Sequence, residues 1–217
     1  MKITQICLIS ASIFASASIF IGCTDSDSGY DAHYESCKDV ADLSEFQENF
    51  GSYKLEKKIP FKHSNGYTFY MEVTQCDRGA DDFCNMRQTI TLESSYPIYT
   101  INLTSSQKST YLEPSKIYGD TLAVSFGQYR FTLKNPKADS SRIDTLILNK
   151  IAYTDVAVAI GRKVKQTEVI PAYISSSNEV EETVESDAKL YYQSKKGILK
   201  IEMEDGSYIV INEKEKK

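Results

Sequence analysis

From Tyr67 onward apolar and polar positions alternate. Tyr67, Phe69, Met71 and Val73 interleave with Thr68, Tyr70, Glu72 and Thr74, the period of a strand with one buried face. The same reading applies to Arg87 to Glu93, Ile98 to Leu103, Thr121 to Phe126, Tyr129 to Leu133, Thr145 to Leu148 and Ile151 to Ile160. It continues through Val169 to Ile174, Leu190 to Gln193, Ile198 to Met203 and Tyr208 to Ile211. Turn chemistry separates these runs at Ser64-Asn65-Gly66, Asn135-Pro136, Lys196-Gly197 and Asp205-Gly206. The last two turns make Leu190 to Ile211 a three-stranded meander, with Leu199, Ile201 and Met203 inward and Lys200, Glu202 and Glu204 toward water. Before the strands, Val40, Leu43, Phe46 and Phe50 recur at helical spacing between Asp39 and Gly51, which predicts one short helix over residues 39–50.

Many short strands without βα alternation predict an all-β fold, mainly an antiparallel sandwich or barrel, with that one N-terminal helix. No fixed-period repeat is present. Ser, Gln, Lys and Pro interrupt the strands near Ser105 to Ser115. The break separates a helix-plus-β region, residues 39–110, from a second β region, residues 111–213, which form either two domains or one. The acidic run Asn178 to Asp187 reads as a solvated loop.

With 217 residues, 41% hydrophobic and 25% charged, the chain is neither fibrous nor a multi-span membrane protein. Its formal charge of −5 argues against nucleic-acid binding, which needs clustered Lys and Arg. The segment up to Cys23 has a basic residue, Lys2, an apolar middle and the ending Phe20-Ile21-Gly22-Cys23, followed by a polar Asp- and Ser-rich run. That is the layout of a secretory signal over residues 1–22. Its last four residues resemble the lipobox of bacterial lipoproteins, in which the signal is cut before a Cys that carries the lipid. The resemblance implies a covalent lipid on Cys23 and attachment to a membrane. Residues 23–38 then serve as an acidic tether, with a reach of at most ~50 Å at about 3.3 Å per residue.

Asp144 to Val156 (DTLILNKIAYTDV) and Tyr191 to Ile201 (YYQSKKGILKI) are similar to phrases found in small lipoproteins of Gram-negative anaerobes. In those proteins a Gly commonly stands between the Asn and Lys that are adjacent here as Asn149 and Lys150. The resemblance implies a β-rich, lipid-anchored envelope protein, of the outer membrane by the same likeness, and carries no activity with it.

Once Cys7 leaves with the signal and Cys23 takes the lipid, Cys37, Cys76 and Cys84 remain. In an oxidising compartment disulfides persist. Cys76 and Cys84 bracket a turn-rich stretch, Asp77 to Phe83, and are the expected pair, with a bridge from Cys37 to one of them as the alternative. No metal centre is expected, because Cys76 and Cys84 lack zinc spacing and His33 and His63 lack partners at ligand spacing. Asp77, Asp81 and Asp82 do not follow an EF-hand pattern.

No nucleophile elbow, zinc-protease motif or phosphate loop is present, so no enzymatic activity or further cofactor is expected. The 15 Tyr and 9 Phe are mostly assigned to core packing, although Tyr rows on an exposed face would suit sugar rings. The expectation is a non-catalytic binding or structural β domain whose partner is an extracellular glycan or another envelope protein. The alternatives are a lipid or lipoprotein carrier with an apolar cavity, and a polysaccharide or peptidoglycan hydrolase with two convergent acids.

Overall fold

The computed structural model describes residues 53–80, 86–109, 117–134, 141–165 and 183–213. The expected helix over residues 39–50, the strand Val169 to Ile174, and Cys23, Cys37 and Cys84 all lie outside the described residues. The described residues form eleven strands: β1 (Lys58–His63), β2 (Thr68–Ala80), β3 (Met86–Ser95), β4 (Ile98–Ser109), β5 (Ile117–Phe126), β6 (Tyr129–Lys134), β7 (Arg142–Leu148), β8 (Ile151–Val164), β9 (Thr183–Gln193), β10 (Gly197–Glu202) and β11 (Tyr208–Ile211). They form one sheet in the order β6-β5-β4-β3-β2-β1-β11-β10-β9-β8-β7, and a further β6–β8 pairing closes ten of them into an antiparallel barrel. The all-β expectation is therefore met as a barrel.

Closure is local. β6 meets β8 through Tyr129 opposite Lys163 and Arg130 opposite Arg162, and the Val164 amide donates to the Gln128 carbonyl at 2.9 Å. β6 then leaves that edge of β8, and β7 takes it over from Arg142 opposite Ala157 to Leu148 opposite Ile151. At the point of departure stands Gly161, where an added Cβ would lie 2.9 Å from a Phe131 ring carbon and 3.1 Å from the Ala188 Cβ. Glycine inside a strand marks such a close approach. Small residues on β8 and β9, Ala159, Gly161 and Ala188, leave room for large ones, and Phe61, Met71, Phe131 and Tyr192 fill the interior, each buried.

Outward positions include the polar Glu72, Thr74, Arg87, Glu93, Thr132 and Lys134, with Tyr70, Ile147 and Ile160 exposed among them. No helix among the described residues is long and apolar enough to cross a membrane.

Several strands outrun their sequence signal. The turn-rich stretch expected from Asp77 is still β2, with Asp77 opposite Thr89 and Gly79 opposite Arg87. The break expected at Ser105 to Ser115 is the far end of a hairpin, in which Ser109 faces Ile117, and β1 pairs β11 across the two expected regions. Thr183 to Asp187, read as part of a solvated acidic loop, begins β9. In each case the neighbouring strand supplies ladder hydrogen bonds to residues whose side chains alone do not favour a strand.

Candidate functional site

An antiparallel barrel has two ends, and the connections assign each residue to one. The turns β1–β2, β3–β4, β5–β6 and β10–β11 gather at one end, together with the end of β8 and the start of β9. Tyr53, the start of β1, the end of β11 and the β9–β10 turn gather at the other, the base. There Tyr53 is buried and its hydroxyl oxygen accepts the Ile198 amide at 2.7 Å.

The turn end is aromatic. The β1–β2 turn is held by Gly66 at φ 92° and by the Tyr67 amide, which donates to Asn65 Oδ1 at 3.0 Å. The β3–β4 turn contains a cis Tyr96–Pro97 bond and is tied by the Tyr99 amide donating to Ser94 Oγ at 3.2 Å. These two turns bring Tyr67 and Tyr96 together edge to face, with ring centres 5.9 Å apart and planes at 83°. Behind them Phe69 packs on Tyr99 at 5.4 Å, and Tyr99 on Phe126 at 5.4 Å, so the rings run continuously from the core to the rim. At the rim Tyr67 is 43% exposed, Tyr96 77% and Ile98 84%.

Two concavities flank Tyr99. The larger, about 650 Å³, runs between Ile98, Asn102, Phe126, Tyr129, Arg130 and Met203. The smaller, about 310 Å³, lies between His63, Asn65, Tyr67, Tyr96 and Pro97. Asn102 Oδ1 accepts Thr91 Oγ1 at 3.0 Å, and Arg130 Nη1 donates to the carbonyls of Gly127 at 2.9 Å and Tyr129 at 3.2 Å. The described walls carry aromatic faces, amides and hydroxyls, one guanidinium and one imidazole, and no carboxylate. Such a surface can stack on and hydrogen-bond a ligand.

Of the residues singled out in the sequence, Cys76 sits buried on β2 in a disulfide whose partner lies outside the described residues. Gln88 Nε2 approaches its sulfur at 3.6 Å. His63 ends β1 at the turn end and lines the smaller groove. No group of three or more His, Cys, Asp or Glu suited to a metal ion occurs among the described residues. Tyr67 and Tyr96 are exceptions to the assignment of most aromatic residues to the core. Tyr67 precedes β2 by one residue and so stands at the rim, beyond the layer where its alternation with Phe69 would bury it. The usable signal was a Tyr beside each of two tight turns, Asn65-Gly66-Tyr67 and Tyr96-Pro97.

Fold and site together define a closed ten-stranded antiparallel barrel with an aromatic groove at its turn end. Compared with known protein families, curated proteins and solved structures, the chain has no match.

Proposed function

We propose that this chain is a lipid-anchored protein of the cell envelope, held at the outer membrane through Cys23, whose barrel is a non-catalytic binding domain. The observation that carries the reading is the placement of the aromatic groove at the end of the barrel opposite Tyr53, where the tethered chain enters. Residues 24–52 span at most about 100 Å when extended, so an anchor at Cys23 leaves the groove free to face away from the bilayer. Lipid on Cys23 supplies roughly 0.8 kcal/mol per buried methylene, and more than one chain gives stable attachment. The partner is an extracellular glycan or another envelope protein.

The test is Cys23→Ala. The variant is expected to leave the membrane fraction and to take up no labelled fatty acid, while keeping a folded barrel. Labelling that persists in the variant removes the anchor from the proposal. Protease added to intact cells reads the side of the membrane: clipping of the barrel from outside places it at the cell surface, and protection until the outer membrane is opened places it in the periplasm.

A further inference from the structure

We propose that the turn-end groove is a carbohydrate site, taking a glycan chain laid across Tyr99 with sugar-ring faces against Tyr96 and Tyr67. This deepens the reading of the barrel as a binding domain and rests on it. A pyranose has C–H groups on its faces and hydroxyls around its edge, so a site for it needs bare aromatic faces bordered by neutral donors and acceptors. Tyr96 is 77% exposed. Its ring packs edge to face on Tyr67 at 5.9 Å, and the Tyr67 hydroxyl donates to the Tyr96 backbone carbonyl at 3.5 Å. Rigid aromatic side chains lose little entropy on binding. Asn65 and His63 border these rings on one side of Tyr99, and Thr100, Asn102 and Gln128 line the groove on its other side.

The shape selects among ligands. Two concavities that share Tyr99 as a common wall suit a chain of linked rings better than one small molecule. An acyl chain favours an enclosed apolar chamber, whereas these grooves are open and edged by amides, and the barrel interior is filled by Phe61, Met71, Phe131 and Tyr192. A stable protein interface covers about 800 Å² per partner around a desolvated apolar centre. The exposed apolar side chains here are Tyr67, Tyr96 and Ile98, standing between two concavities. Nucleic acid is disfavoured by the formal charge of −5.

The experiment uses the full-length lipidated protein in detergent, run by affinity electrophoresis through gels containing amylose, cellulose oligosaccharides, mannan, polygalacturonate or a peptidoglycan digest. Retention in at least one gel is expected. Tyr96→Ala should weaken it about tenfold, Tyr96→Phe should hold within about twofold, and Tyr70→Ala, on the outer wall, should leave it unchanged. Retention by none of the five probes, or equal retention by Tyr96→Ala, overturns the proposal. A photoreactive phenylalanine analogue in place of Tyr96 separates the two levels of inference in cells. A protein adduct without carbohydrate binding overturns the glycan and keeps the binding domain; no adduct and no retention removes both.

Discussion

The amide of Ile198 donates to the hydroxyl of Tyr53 at 2.7 Å, joining residues 145 positions apart at the base of the barrel. Beside them Gly197, at φ 82°, leaves no space for a side chain, because a Cβ there would run into the Tyr53 ring. Tyr53→Phe leaves the Ile198 amide buried without its acceptor and should cost about 1–3 kcal/mol. Gly197→Ala adds a strained left-handed backbone angle to a clash and should cost more, about 2–4 kcal/mol. Urea unfolding followed by circular dichroism measures both; a Gly197→Ala protein as stable as the wild type contradicts this packing.

The same base predicts an alkaline limit. Burial pushes the Tyr53 hydroxyl well above the usual phenol range, partly offset by the Ile198 amide. Burial first, and then the Glu213 carboxylate, push Tyr153 up to about 12. Both titrate near 10 in an unfolded chain. The folded state therefore holds these protons more tightly, and its advantage is complete below pH about 10 and lost as pH rises through the folded values. The urea midpoint should be unaffected by these groups up to that point and fall above it, less steeply in Tyr153→Phe. A Tyr153→Phe midpoint that falls as steeply as the wild type removes Tyr153 from the account.

At the seam, Gly161→Val drives a branched side chain into Phe131 and Ala188. Overpacking of this kind costs about 1–3 kcal/mol. Because the Val164 amide bonds the Gln128 carbonyl across the same seam, its hydrogen exchange should accelerate in the variant more than that of Ile201 in the core. Uniform acceleration would mean global destabilisation without opening of the seam.

The β7–β8 turn holds two residues at positive φ, Asn149 at 49° and Lys150 at 68°. This is a primed hairpin turn in which glycine is the favoured second residue. Asn149 also donates to the Ile211 carbonyl at 3.0 Å, so the turn is pinned to the end of β11. Lys150→Gly relieves the left-handed strain and should raise stability by about 0.5–1 kcal/mol, read as a higher melting temperature. A lower one contradicts the strain.

Cys76 is disulfide-bonded, with Cys84 the partner expected from the sequence and Cys37 the alternative. β2 and β3 stay paired as far as Ala80 opposite Met86, which sets Cys76 four residues back from the end of the ladder and favours Cys37. A peptide map without reductant should contain a Cys37–Cys76 link; a Cys76–Cys84 link contradicts this.

What could be read directly from the sequence was local. Strand identity followed from alternation in Phe69, Met71 and Val73, and the β9-β10-β11 meander from two Gly turns, because those signals act between near neighbours. β1 alternates only briefly, through Ile59 and Phe61, and Pro60 interrupts it. It exists because β2 and β11 pair it from both sides, with Phe61 opposite Phe69 and Ile211. Leu199, Ile201 and Met203 were assigned inward, and a register shift between Ile198 and Lys200 buries Ile198 as well.

The sequence by itself thus determined the all-β character of the described residues, the faces of their strands and their tight turns, since side-chain period and backbone preference are properties of short segments. Only the tertiary structure decided that the sheet closes. Closure depends on Gly161, Phe131 and Ala188 meeting across distant strands. Tertiary structure also decided that Tyr67 and Tyr96, 29 positions apart, share one rim, because ring order turns sequence separation into contact at the barrel's end.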